Sequence, residues 1–384
     1  MQPDDTNTTT QQRSILRKRS LLYRILRWLW IVCCFAIAII TVGAANGGSV
    51  NPEWWSFPAM LAMTFPGWLV LNLVCGIINL CVKRKLAIVS GVALVLTFGP
   101  TWSFCPLNIG GHSVPEDEIE QSFNFMSFNA FGFKDDENIY PNGTNRSASE
   151  IIHSDADIIC LQEVGYLSDM PGRHLYSLQV DSINDLYPHV VYADRNMASI
   201  LSKYPLTEIE LPQPKSRYSG WKAVEVDFKG EPILVISVHL ESIGLNNEDK
   251  LIYHEMTDGA YAKTWLSGGK IIYKKLSNAF KQRAKQAKLL RHCIDSLNYK
   301  NVIVSGDFND IADCYAMRVI EGNNLRSVFY SCGFGPRITY HNDRFYFNID
   351  HTLSGGDLKA VKTWRGNVPS SDHYPIYSTF ILKK

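Results

Sequence analysis

The sequence predicts an α/β domain of many short strands, preceded by three helices that cross a membrane. Three observations carry that expectation. Long charge-free apolar runs crowd the first hundred residues. From residue 122 onward, short apolar runs with strand character alternate with stretches of helical spacing. Those strand-like runs end repeatedly in Asn, Glu, His or Asp.

The apolar runs come first. Residues 28–52 and 54–82 carry no charged side chain, and a third run, LAIVSGVALVLTFGPTWSF, begins at Leu86. Each is long enough to cross a bilayer, with helices expected at about 28–47, 57–82 and 86–105. Arg13, Arg17, Lys18, Arg19, Arg24 and Arg27 precede the first run. Lys83, Arg84 and Lys85 separate the second from the third. Positive-inside counting places the N-terminus and the 83–85 turn in the cytoplasm, so everything beyond residue 106 is expected on the far side. Trp28, Trp30, Trp54, Trp55 and Trp102 suit interfacial belts. A signal peptide cleaved at VGAANG is the competing reading of the first run, opposed by the polar leader and the two further apolar runs.

The chain thus divides into a membrane anchor at 1–106, a Gly-, Pro- and acid-rich linker at 107–121, and a domain at 122–384. The formal net charge of +1 hides an asymmetry: 1–106 holds nine Lys/Arg against three Asp/Glu, and the remainder 29 against 34. A weakly acidic domain is unlike a non-specific nucleic-acid binder, which presents a basic surface. Nine cysteines show neither zinc spacing nor a disulfide framework and are expected as small buried hydrophobes.

Within the domain, SFNFMSF leads to Asn129, ADIICLQ to Glu163, PILVISV to His239, NVIVSG to Asp307, FNI to Asp350 and PSS to Asp372-His373. A helix is expected within 273–297, where Leu276, Phe280, Ala284, Ala287, Leu290 and Ile294 recur at helical spacing. A single polar strand end reflects turn chemistry. Six together suggest one sheet edge where carboxylates and carboxamides form a hard-cation site of the Mg²⁺ or Mn²⁺ type, with histidines supplying proton transfer or positive charge. That set suits attack of water on phosphorus.

The motifs MSFNAFG, LQEV, SVHLES, SGDFND, NIDHT and SDHYP, in this order, resemble the endonuclease/exonuclease/phosphatase superfamily over roughly residues 121–384. The resemblance implies a four-layer α/β/β/α sandwich of the DNase I-like kind and a Mg²⁺- or Mn²⁺-dependent phosphoester hydrolase. It implies metal-site roles for Asn129, Glu163 and Asp372, with Glu163 the principal ligand. Asp307 would orient or deprotonate the attacking water, Asn309 contact the phosphoryl oxygens, and His239 bind the phosphate. His373 would hydrogen-bond the reacting phosphate with Asp350 behind it. His351 adjoins Asp350 without an implied role.

The resemblance leaves the substrate open among lipid, small-molecule and nucleic-acid phosphoesters. A non-catalytic membrane-anchored binding domain on the same fold is the alternative, opposed by the complete polar set. The expected location is the bacterial inner membrane with the domain extracytoplasmic. The segment 241–297 is longer than a crossover needs and is expected to include a lid or membrane-facing insertion. The basic residues of 263–291, Arg283 and Lys285 among them, are expected as a solvated face. The sequons at Asn142 and Asn145 are expected as chance occurrences.

Overall fold

The computed structural model describes residues 5–110, 113–134, 144–164, 167, 177–192, 198–258, 262–342 and 344–383. Two compact units divide the chain: residues 1–46 with 61–99, and residues 47–60 with 100–384.

The first unit is helical, built on α1 (Asp5–Asn46), α3 (Phe65–Val82) and α4 (Arg84–Leu96). The short α2 (Phe57–Met63) precedes α3, and α5 (Phe98–Phe104) follows α4. Its patterning inverts that of a water-soluble bundle. Leu22, Trp28, Val32, Ile39, Val70, Ile77 and Val95 lie exposed, while Thr41, Asn72, Asn79 and Ser90 are buried. Trp30 Nε1 donates to Asn79 Oδ1 at 3.0 Å, Asn72 Nδ2 to the Ser90 carbonyl at 3.2 Å, and Thr41 Oγ1 to the Trp68 carbonyl at 3.2 Å. Polar and small residues inside with large apolar ones outside is how helices associate in lipid.

Leu21–Ser49 and Phe65–Val82 are each long and apolar enough to span a bilayer, and α4 with α5 forms a pair bent by 66°. The single helix expected over 57–82 is interrupted at Thr64, because Pro66 lacks the N–H that would continue the ladder. Thr64 Oγ1 instead donates to the Leu61 carbonyl and accepts from Trp68 Nε1. Pro100 acts similarly behind the bend between α4 and α5.

The second unit contains two six-stranded sheets. The first holds β1 (Ser122–Asn129), β2 (Ile158–Gln162), β3 (His189–Val191), β4 (Ala198–Ser202), β13 (Leu358–Arg365) and β14 (Ile376–Leu382), in the order β13-β14-β1-β2-β4-β3. The second holds β5 (Leu206–Ile209), β6 (Gly220–Phe228), β7 (Glu231–His239), β8 (Asn301–Asp307), β9 (Leu325–Ser327) and β12 (Asp350–Gly355), in the order β5-β6-β7-β8-β12-β9. A hairpin pairs β10 (Tyr340–Asn342) with β11 (Phe345–Phe347).

Helices α6 (Arg146–His153) and α7 (Ser177–Leu186) cover the first sheet through Ala148, Ile151 and Ile183. Helices α9 (Ala262–Leu297) and α10 (Tyr315–Glu321) cover the second through Ala287, Leu290, Ile294, Met317 and Ile320. The architecture is therefore the four-layer sandwich. Two further helices, α8 (Asn247–Thr257) and α11 (Val328–Cys332), complete the unit. Much of 241–297 is thus not an insertion, because the C-terminal half of α9 is the outer helical layer itself. The 47–60 loop packs within this unit: Ser56 hydrogen-bonds Ser277 at 2.7 Å and Glu53 pairs with Lys288. Asn145 is a buried N-cap, accepting from Ala148 N and donating to the Phe133 carbonyl, so this sequon serves the fold. Asn142 lies outside the described residues.

Strand alternation sorts the side chains. Phe123, Phe125, Ile158, Cys160, Ile233, Val235 and Ile303 fill the space between the sheets. Their neighbours Met126, Ile159, Leu234 and Val302 face the helices. Counting on by two from the inter-sheet core, the next inward positions are Ser127, Gln162, Ser237 and Ser305. Gln162 Nε2 donates to Ser237 Oγ at 3.1 Å, and Ser305 Oγ meets Thr352 Oγ1 at 2.7 Å. One further step reaches Asn129, His239 and Asp307, with Asp350 paired opposite Asp307. The gap between the sheets thus passes from apolar to hydroxyl and amide to the site residues in two steps of two residues along each strand.

Gly306, inside the SGD motif, has φ of +146°, and a Cβ there would fall 2.0 Å from the Val238 carbonyl oxygen. Gly306→Ala must therefore push β7 and β8 apart. Chemical denaturation should show a loss of more than about 2 kcal/mol, or no folded protein.

Candidate active site

Six chain segments deliver their polar ends to one place. Asn129 is buried at the end of β1, and its Nδ2 donates to Glu163 Oε1 at 3.0 Å and to Asp307 Oδ2 at 3.1 Å. Its Oδ1 accepts from Phe131 N at 3.1 Å, which turns the amide nitrogen toward the carboxylates. In this geometry the Asn129 amide nitrogen faces two acids.

Glu163 follows β2 and has φ of +57°. Simple alternation would send its side chain to the helix side with Leu161. The left-handed backbone breaks the alternation and brings the carboxylate to the cluster. Asn309 has φ of +53° for a similar reason. Its backbone N–H donates to Asp307 Oδ1 at 2.7 Å, and its Nδ2 to the Leu240 carbonyl at 2.9 Å, tying the β8 loop to the end of β7.

His239 places Nε2 3.7 Å from Asp307 Oδ2 and 3.9 Å from Glu163 Oε1. Its Nδ1 is buried without a partner among the described residues. His373 lies between two acids, with Nδ1 2.9 Å from Asp350 Oδ2 and Nε2 3.6 Å from Asp307 Oδ2. Ser371 Oγ accepts the His373 N–H at 3.1 Å and donates to the Asn129 carbonyl at 2.7 Å, fixing this loop to β1.

The electrostatics follow from this packing. Burial alone would strip His373 of its proton, but Asp350 and Asp307 outweigh it and raise the imidazole to about 10. Burial pushes the Asp307 carboxyl up to about 6, against the pull of His373 and with Asp350 adding to the rise. Burial also works on Asp350, yet the charge and hydrogen bond of His373 hold it below the usual range. Asp307, Asp350 and His373 have ligand atoms within 4.8 Å of one another. The trio is close enough to share a proton between its carboxylates and the imidazole or to hold a cation.

A cation fits better beside it. Asp372 Oδ1 is buried without a partner among the described residues. Burial raises the Asp372 carboxyl, and the nearby Glu163 charge adds to that rise against His373. Two neighbouring carboxylates, one with an orphaned oxygen, are a hard-oxygen donor set that matches Mg²⁺ or Mn²⁺.

Two supporting residues lay outside the expected set. Arg283, grouped above with a solvated basic face, is buried. Its Nε donates to Asp310 Oδ2 at 3.0 Å and its Nη1 to the Glu241 carbonyl at 2.8 Å, bracing the loops that follow β7 and β8. His351 points away from the site: Nε2 meets the Asp310 carbonyl at 2.9 Å and the ring packs edge-on against Phe308. The spacing of Ala284, Ala287 and Leu290 on the apolar face of α9 already placed Arg283 next to that face.

Arg283→Met should strand the Asp310 carboxylate and cost about 3–5 kcal/mol in urea denaturation. His351 is held by burial at about 4, below its ordinary 6.5, with Arg337 also lowering it and the Asp310 carbonyl and Asp350 opposing. The unfolded chain therefore binds a proton in that window which the native state excludes. Stability should fall by about 1.4 kcal/mol per pH unit as pH drops from 6.5 toward 4. The difference between wild type and His351→Gln across a pH series of melts should show that slope, and a pH-independent difference would refute it.

Residues 126–373 match the family described as "Endonuclease/Exonuclease/phosphatase family", and residues 24–104 match a domain of unknown function, DUF8431. Among solved structures, truncated TDP2 from Caenorhabditis elegans is 18% identical, covering 68% of this chain and 98% of its own, with a TM-score of 0.46. An endonuclease/exonuclease/phosphatase from Beutenbergia cavernae is 16% identical over 68% of this chain and 72% of its own, with a TM-score of 0.45. A family protein from Bacteroides thetaiotaomicron is 15% identical over 68% and 98%, with a TM-score of 0.43. A search of curated proteins gave no match. The family match spans well over half of the sequence and takes in all eight site residues, and the chain belongs to the endonuclease/exonuclease/phosphatase family.

Proposed function

We propose that this family member is a membrane-tethered, divalent-metal-dependent phosphoester hydrolase that activates water for attack on phosphorus. The observation that carries the reading is the buried His373 ring held between Asp350 and Asp307, beside the orphaned Asp372 carboxylate. A retired binding domain has no need to keep a buried charge relay.

Glu163 and Asp372 would hold the metal, with Asn129 fixing the orientation of Glu163. A bound Mg²⁺ or Mn²⁺ would offset phosphate charge as a Lewis acid. Asp307 accepts the proton of the attacking water, and the Asn309 N–H keeps its other oxygen in place. His373 and His239 face the phosphoryl oxygens as donors, which stabilises the charge that builds there. Asp350 fixes the His373 tautomer and keeps the ring protonated.

The lipid-like patterning of the first unit supports tethering, and the arginines and lysines flanking its apolar runs support an extracytoplasmic catalytic unit at a bacterial inner membrane. The acidic balance of the second unit favours a lipid or small-molecule phosphoester over nucleic acid.

The full chain in detergent, assayed on bis-p-nitrophenyl phosphate, should turn over with Mg²⁺ or Mn²⁺ and stop with a chelator. Asp307→Asn and His373→Gln should each lower kcat by about 10²–10⁴. Glu163→Gln should raise the metal concentration required by about tenfold or more. Turnover that survives chelation or the Asp307→Asn change would sink the reading.

A further inference from the structure

Beside the end of β7, on its helix-covered side, lies a cleft of about 530 Å³ that the chemistry above does not use. Its volume falls within the range of small-molecule sites, roughly 300–1,000 Å³. One wall is the loop Gln213-Pro214-Lys215-Ser216. The other is α9, through Asn278, Gln282, Lys285, Gln286 and Leu289, and Glu241 closes the end. Glu241 is two residues beyond His239, about 7 Å along extended chain.

The lining is specific in kind. Asn278, Gln282 and Gln286 recur every four residues, so three carboxamides form a ladder on one helix face. Part of the cleft is already locked. Gln286 Oε1 accepts from Glu241 N at 2.9 Å, and its Nε2 donates to Ser219 Oγ at 2.8 Å and Glu241 Oε2 at 3.3 Å. Ser219 Oγ donates to the same Glu241 Oε2 at 2.8 Å. The two bonds to the Glu241 carboxylate both fall on Oε2 and leave Oε1 to accept from a ligand. Among the described residues, Asn278 and Gln282 have no hydrogen-bond partner. Lys215 and Lys285 bring positive charge to the two walls. Among the described residues no aromatic side chain lines the cleft, so a nucleobase would find no stacking platform there, and of those residues only Pro214 and Leu289 are apolar, which disfavours an acyl chain.

We propose that this cleft binds a polyhydroxylated group, a hexose or cyclitol, carried by the phosphoester whose phosphorus sits at His239 and Asp307. Carboxamides and a carboxylate offer paired donors and acceptors that match vicinal hydroxyls, and the two lysines suit an anionic substituent on the ring. The assignment rests on the phosphohydrolase reading for the placement of the phosphate, but the cleft binds its ligand whether or not turnover follows.

The test uses the full chain in detergent with Mg²⁺, in an Asp307→Asn background so that ligands persist, with calorimetric titration. Two probe pairs differ in the polyol: glycerophosphoinositol against glycerophosphocholine, and glucose 1-phosphate against ethyl phosphate. At least one pair should favour the polyol by about tenfold or more. Adding Asn278→Ala with Gln282→Ala should bring that ratio close to one. A general loss of folding would weaken both members of a pair and leave the ratio standing. Equal affinities within both pairs, or a ratio untouched by the double change, overturns the proposal. Wild-type turnover of bis-p-nitrophenyl phosphate with equal affinities removes only the polyol site. A selective ratio that collapses in the double variant, without wild-type turnover, removes only the hydrolase reading.

Discussion

Asp350 and Asp307 face each other directly across the β12/β8 ladder, both buried. Two carboxylates in that position repel and lack solvent, so the arrangement is untenable unless a positive charge is built between them. His373 is that charge. Its demand for both acids holds the loop before β14 against the far sheet, and so joins the two halves of the sandwich at their polar end. The His373 contacts are therefore part of what closes the fold.

Around this pair, the structure uses short inter-loop ties in place of long side-chain reach. Ser371 ties the His373 loop to Asn129, Asn309 ties the β8 loop to Leu240, and Arg283 ties Glu241 to Asp310. Three of these bonds end on a backbone carbonyl and position main chain, while the fourth ends on the Asp310 carboxylate. Left-handed backbone at Glu163 and Asn309 is tolerated because these ties over-determine the local path. Two of the positive φ values fall on residues of the cluster, and at Glu163 the side chain thereby leaves its strand's alternation.

The first unit solves a different problem with the opposite pattern. Its buried contacts are carried by Asn, Thr, Ser, Cys and Ala, and its exposed surface by Leu, Ile, Val and Trp. Helices surrounded by hydrocarbon gain nothing by hiding apolar surface from their solvent, so close approach and interhelical hydrogen bonds take over. Pro66 and Pro100 break the helical ladders, and threonine hydroxyls add a bond beside each break: Thr64 to the Leu61 carbonyl, and Thr97 to the Ala93 carbonyl.

Polar residues at the ends of strand-like runs were legible in the sequence, and Asn309 joined them only through the ordered motifs. The layers were legible too, since period two and period 3.6 assign each apolar residue a face. The sequence alone also marked the apolar runs and their charged flanks. It could not say that Arg283 is a buried brace, since a charge beside an apolar stripe is usually solvated, and only the acceptors on two distant loops make its burial tolerable. Nor could it show that Asn129 turns its nitrogen to the acids, because amide orientation depends on the Phe131 N–H. The left-handed turn at Glu163, the opposition of Asp307 and Asp350, and the cleft against α9 all depend on register and packing between segments far apart in the chain. Local pattern fixes which face a residue occupies; only tertiary contacts decide what it meets there.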